Sequence, residues 1–271
     1  MSYSPLQLAE AFIQTGELHD ALEALDQQID AHPGDERARR WRAAVLLRLR
    51  DEDRLRQAED DLRGLTAPTA RDHVQRSIIL EVLGDLEGAV AAMQSARDSQ
   101  PEDERLAERT LQLLMAQGKL DEAQRLIETR PRTWRWLQWA GDLLVLSGND
   151  IVAIARYGLA LAQLENKTDS IENRHLGALR ARLLLARADA YRRLEMIEQA
   201  EMDYVAAGNL MPDDPMITFK RGLLASLQGD RQRAADLCRE ALHNANQTLH
   251  AMMLAELREN EQYETMLKSL D

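Results

Sequence analysis

The chain has 271 residues, 45% of them hydrophobic and 30% charged, with a formal net charge of -12. That balance belongs to folded globular chains and excludes a disordered one, while an acidic surplus argues against a nucleic-acid partner, which needs a basic face. Aromatic residues at 4% leave little to build a sheet from, whereas the abundant Ala, Leu, Glu, Gln and Arg lose the least entropy in helices, so an all-α fold is expected.

The first residues, Met1 to Gln7, have neither a basic stretch nor an apolar core, so no signal peptide is expected. No apolar run approaches the length needed to cross a bilayer. The single cysteine, Cys238, rules out an internal disulfide and suits a reducing compartment. A cytoplasmic protein with no membrane partner is the expectation.

From residue 16 onward one phrase recurs: a turn residue, a helix start, then Ala five residues after the turn. It reads Gly16 with Ala21, Asp53 with Ala58, Gly84 with Ala89, Gly118 with Ala123, Gly148 with Ala153, Glu195 with Ala200 and Gly229 with Ala234. Successive alanines lie 37, 31, 34, 30, 47 and 34 residues apart. Proline follows twelve residues after three of them, at Pro33, Pro101 and Pro212, each with acids close behind: Asp35-Glu36, Glu102-Asp103-Glu104 and Asp213-Asp214. Proline ends one helix and early acids suit the positive end of the next, so each period is two helices joined by the turn.

These markers resemble the tetratricopeptide repeat, a 34-residue unit of two antiparallel helices with a glycine turn, a small residue on the second helix and a closing proline. Its large-then-small pattern on the first helix is matched by Leu137, Ala140-Gly141 and Leu144, and further on by Leu184, Ala188 and Tyr191, with Tyr204 and Ala207 on the second helix of that unit. Gly222, Cys238 and Ala241 mark the seventh unit. The resemblance implies a right-handed superhelical solenoid in a single domain over residues 1–271. Its repeats fall near 2–35, 36–69, 70–103, 104–133, 134–170, 171–214 and 215–246, with a capping helix pair over 247–271.

Three departures from the period are expected to show. The 37-residue spacing adds a turn near Leu49–Asp53, and the fourth unit is short, with Pro131 coming early. The 47-residue spacing holds a surplus around Gln163–His175: the second helix of the fifth unit overruns, a polar turn follows, and the next helix starts early near Ile171, capped by Asp169 or Ser170. That surplus is either a partner contact or a tolerated extension.

Catalytic and cofactor motifs are missing: no phosphate loop, no HExxH pair, no CxxC. The six histidines scatter over different helices, and Cys238 reads as a buried packing residue. Neither an enzyme nor a cofactor is expected.

The family resemblance implies a concave groove lined by the first helices, at positions two, five, six, nine and twelve of each unit. Counting back from the marker alanines puts Arg40 (or Arg39 in the lengthened register), Arg71, Arg105, Arg135 and Arg182 at position two. They form either a ladder for an acidic segment or a set of solvated arginines with local partners. Position five reads Leu6, Val74, Glu108, Gln138, Leu185 and Phe219, and Glu10, Asp142 and Asp189 stand at position nine. The lysine–asparagine–arginine set with which chaperone-tail receptors of this family clamp two carboxylates is therefore absent.

Trp134, Trp136 and Trp139 crowd the start of the fifth unit. Trp139, at position six, can stack with Arg135, or the tryptophans wedge between units to absorb the short fourth repeat. Met216, Phe219 and Leu223, at positions two, five and nine of the seventh unit, make an apolar patch that either holds a ligand, packs on the capping pair or forms a dimer contact, with Met252, Met253 and Met266 nearby. The expected function is a non-catalytic scaffold for a peptide or partner protein. The second reading is an assembly protein that self-associates, or chaperones secreted subunits, through its C-terminal apolar end.

Overall fold

The computed structural model describes residues 3–165 and 173–260, together with Tyr263 and Leu267. Fifteen α-helices run through the described residues, which include no strand. The chain divides into two compact units, residues 1–126 and 127–271.

In the first unit, α1 (Pro5–Thr15) and α2 (Leu18–Ala31) form a hairpin, followed by α3 (Glu36–Leu49) and α4 (Leu55–Arg63), then α5 (Ala70–Val82) and α6 (Leu86–Ser99). The fourth hairpin, α7 (Glu104–Ala116) and α8 (Leu120–Glu128), has a second helix of nine residues where α2 and α6 have fourteen. This is the short repeat expected before Pro131. The second unit holds α9 (Trp134–Leu146) with α10 (Asp150–Glu165), α11 (Asn173–Arg193) with α12 (Ile197–Leu210), α13 (Pro215–Leu227) with α14 (Arg231–Asn244), and α15 (Gln247–Glu259).

The recurring phrase has a backbone cause. Gly16, Gly84, Gly118, Gly148 and Gly229 follow their helices with φ between 70 and 85°, the left-handed region where a Cβ is penalised. The acids behind the prolines do more than meet the helix dipole. Asp35, Asp103 and Asp214 each accept a backbone N–H of the helix they precede, as N-caps. Ser4 and Thr69 close capping boxes with Gln7 and Asp72.

All seven marker alanines are at 1% exposure or less, so the marker is a packing position. Close approach explains two glycines as well. A Cβ at Gly141 would lie 2.4 Å from the Tyr157 ring, and one at Gly222 would lie 2.6 Å from Cys238 Sγ. The first unit packs around Leu25, Leu46, Leu55 and Ile79. In the second, Leu137, Tyr157, Leu161 and Leu183 make one cluster, and Phe219, Cys238, Met253 and Leu257 another.

Two departures from the period resolve as expected. A single 3-10 turn, Glu52–Arg54, fills the extra length after α3. α11 runs 21 residues where most first helices run eleven to fourteen, and α10 extends to Glu165. The expected polar turn and its caps, Asp169 and Ser170, lie outside the described residues, as does Met266. One marker is corrected: the left-handed turn after α3 sits at Arg50 (φ 53°), three residues before Asp53. Glu195 (φ 57°) does take the glycine's place before α12.

Candidate functional site

In the first unit the position-two arginines differ sharply. Arg40 is committed internally: Nε donates to Asp72 Oδ2 at 3.0 Å, Nη2 donates to the Ala67 carbonyl at 3.0 Å, and Glu36 lies 3.4 Å away. Burial pushes the Asp72 carboxyl up, but hydrogen bonds from Thr69 and Arg40 outweigh it and hold the group below the usual carboxylate range. Arg105 is exposed and bonds back to its own N-cap, Asp103, at 3.2 and 3.3 Å. Arg71 is exposed, and no hydrogen bond or ion pair links it to another described residue.

In the second unit Arg182 on α11 is likewise exposed and without a partner among the described residues. Arg135 lies over the Trp134 ring at 5.3 Å, whereas the sequence pointed to Trp139. Gln138 and Trp139 on α9 are half-buried, and Trp136 is 3% exposed with Arg130 over its ring.

Position nine has a structural duty in two successive hairpins. The Tyr157 hydroxyl donates to Asp142 Oδ1 at 2.7 Å, and fifteen residues separate the pair. Tyr204 repeats the arrangement on Asp189 Oδ1 at 2.6 Å with the same separation. Each bond pins the second helix of a hairpin to its first. Their surroundings differ. Asp189 has Arg192 at 3.6 Å and Lys220 at 3.7 Å. No cation among the described residues pairs with Asp142, and burial pushes its carboxyl above the ordinary aspartate value.

Around Asp189 a network closes that the sequence reading did not single out. Lys220 Nζ donates to both Glu256 oxygens at 2.7 Å, Arg192 Nη2 lies 3.6 Å from Glu256, and Arg192 Nη1 donates to the Tyr263 hydroxyl at 2.8 Å. Two acids balance two bases. The signal was available: Arg192 and Lys220 fall at positions twelve and six of the same register that selected Arg182 and Asp189.

The apolar patch expected at Met216, Phe219 and Leu223 needs correcting. Phe219 and Leu223 are at 0% exposure in the core with Met253, Leu257 and Tyr263, and Met216 is partly buried against them. Of the alternatives read from the sequence, packing on the capping segment is the one found, because α15 and Tyr263 cover these side chains. Leu185 is also drawn inward, packed against the Leu183 and Tyr204 clusters. Of the groove residues named from the sequence, Arg71 and Arg105 in one unit and Arg182 in the other are exposed, and Gln138 and Trp139 are half-buried.

Among the described residues, no three His, Cys, Asp or Glu side chains gather as metal ligands would, and no helix is long and apolar enough to cross a membrane. Cys238 is buried, and burial, with Glu256 nearby, pushes its thiol up to about 12.

Such an arrangement defines an all-α helical-repeat solenoid. The sequence profile of the tetratricopeptide repeat family matches residues 6–67 and 185–247. Among solved structures, the C-terminal part of a tetratricopeptide repeat-containing protein from Cytophaga hutchinsonii superposes with a TM-score of 0.62 at 14% identity, covering 97% of this chain and 98% of that one. A tetratricopeptide repeat protein from Parabacteroides merdae gives 0.61 at 16% identity, over 93% and 96% of the two chains. A chain of the APC/C hetero-tetramer Cut9-Hcn1 gives 0.53 at 17% identity, over 99% of this chain and 49% of that one. No curated protein sequence matches the chain. The chain carries tetratricopeptide repeats at residues 6–67 and 185–247, and its fold is the one seen in tetratricopeptide-repeat proteins. Proteins of this kind generally act as non-catalytic scaffolds for protein or peptide partners.

Proposed function

We propose that the protein is a non-catalytic scaffold that holds an acidic peptide segment, or an acidic face of a partner protein, against its first helices. The observation that carries this reading is the contrast among the position-two arginines. Arg40 is used up by Asp72, Glu36 and the Ala67 carbonyl, whereas Arg71 and Arg182 are exposed with no acid attached among the described residues. An unpaired guanidinium is a ready fork for a carboxylate, and it costs no internal ion pair to engage. Trp139 and Gln138, half-buried on α9, supply apolar and amide contact in the second unit. A structural neighbour solved within a hetero-tetramer lends general support to the scaffold role. A reducing, cytoplasmic setting fits the one buried cysteine.

The test is affinity capture from the native cell with wild-type protein, Arg71→Glu and Arg182→Glu, at low and high salt. A partner that is retained by wild-type, weakened by either reversal and lost as salt rises supports the reading. A partner held equally by all three proteins at every salt concentration rules out acid recognition by these arginines.

A further inference from the structure

A second surface, lined by none of the first-helix arginines, is formed at α14 and α15. A cleft of about 560 Å³ is lined by Arg239, Leu242 and His243 from α14, by His250, Leu254 and Arg258 from α15, and by Leu267. The volume falls within the range of about 300–1,000 Å³ in which ligand sites lie. Sequence spacing makes the lining orderly. Arg239 and His243 are four residues apart on α14, and His250, Leu254 and Arg258 follow at intervals of four on α15, so each set shares one helix face.

The chemistry of the lining is one-sided. Two guanidinium groups and two imidazoles border the cleft, and no carboxylate among the described residues lines it, in a chain whose net charge is -12. Arg239 is held 3.0 Å from Asp236, and both are more than half exposed. Arg258, His243 and His250 have no side-chain partner among the described residues. The floor is apolar, because Leu242, Leu254 and Leu267 are only partly buried against the Phe219–Met253 core. A cationic rim over a leucine floor complements a ligand that carries carboxylates and aliphatic side chains together.

We infer that this cleft is a binding site for an acidic, leucine-bearing peptide segment of a partner protein, separate from the first-helix surface. Arg258 and Arg239 engage carboxylates from opposite walls, and the leucine floor takes the segment's aliphatic side chains. A small inorganic anion would leave the leucines uncovered, and a neutral apolar segment would leave the guanidinium groups unanswered.

The experiment uses the full chain and a fluorescein-labelled hexapeptide of alternating leucine and glutamate, followed by fluorescence anisotropy. A leucine–glutamine peptide serves as the neutral probe. Arg258→Glu and Arg239→Glu are compared with Arg231→Glu, which makes the same charge change on α14 outside the cleft, and thermal melts confirm that each variant folds. Saturable binding of the acidic probe, weakened about tenfold by Arg258→Glu or Arg239→Glu but not by Arg231→Glu, supports the site. Failure of the acidic probe to bind, equal binding of the neutral probe, or equal weakening by Arg231→Glu overturns it. Sedimentation equilibrium supplies the last outcome. A concentration-dependent dimer that the acidic probe dissociates and Arg258→Glu abolishes assigns the cleft to a second copy of this chain, and overturns the partner peptide as its occupant.

Discussion

Arg192 on α11 donates from Nη1 to the hydroxyl of Tyr263 at 2.8 Å, a bond that joins residues 71 positions apart with both side chains almost wholly out of solvent. Tyr263→Phe removes the acceptor while keeping most of the ring's packing. A buried donor left unanswered costs about 1–3 kcal/mol. Hydrogen exchange is expected to speed up through α15, which shares Glu256 with the same network, while α5 and α6 keep their wild-type protection. Unchanged exchange in α15 would show that the bond contributes nothing to holding the cap.

The two Asp–Tyr pairs make a pH experiment. Asp142 has a folded pKa raised by burial, so the native state binds more protons than the unfolded chain between the ordinary aspartate value and the raised one. Its destabilising effect is thus fully present above the raised value and is relieved as pH falls through it. Asp142→Asn keeps an oxygen to accept from Tyr157 and removes the charge. The variant should be at least as stable as wild-type at pH 7, with the difference shrinking as pH falls toward about 4 in urea titrations. Asp189→Asn should do the opposite at pH 7, losing about 2 kcal/mol or more, because Arg192 and Lys220 lose a counter-charge in a half-buried setting. A loss of stability for both variants at pH 7 would contradict the reading of Asp142.

Helical glycines separate packing from propensity. Alanine is better than glycine in a helix interior by about 1 kcal/mol. At Gly177 on α11 a Cβ meets nothing within 4 Å, and Gly177→Ala is expected to stabilise by about that amount. At Gly222 the new Cβ would meet Cys238 Sγ at 2.6 Å and the Ala234 carbonyl at 3.2 Å. Since backbone is among the obstacles, Gly222→Ala should be net destabilising by about 1–2 kcal/mol, overpacking costs in cores being about 1–3 kcal/mol. Melting temperatures that rise for both substitutions would mean α13 and α14 are less close than described.

The Cys238 thiol, buried and pushed up to about 12, should resist alkylation by iodoacetamide at pH 8 in the folded protein and react fully in guanidinium chloride. Mass spectrometry reads the fraction labelled. Rapid native labelling would place the thiol in solvent.

What the sequence made legible was whatever the backbone repeats. Glycine at a left-handed turn and alanine at a helix crossing recur because each position excludes a larger side chain, so Gly84 with Ala89 or Gly229 with Ala234 could be read without coordinates. Arg50 takes the same left-handed conformation with no compositional sign of it, which is why Asp53 was the residue read as the turn. The register found the inward-facing positions but not their burial. Phe219 and Leu223 were placed at groove positions, yet whether such a position faces solvent depends on what covers it, and the cover comes from α15 and Tyr263. Arg40 and Arg71 are indistinguishable by spacing. Only the location of Asp72 and the Ala67 carbonyl, about thirty residues further on, decides that one is paired and the other open.

The bond between Arg192 and Tyr263 also sets an order of events during synthesis. Hairpins whose contacts are local can form as soon as their own helices exist. The charges around Arg192 are different, because their last hydroxyl is translated 71 residues later. At roughly 5–20 residues per second that is a wait on the order of several seconds, with Arg192 short of an acceptor throughout. Released chains truncated just before and just after residue 263 would read this directly, with α15 exchanging its amide hydrogens faster in the shorter product.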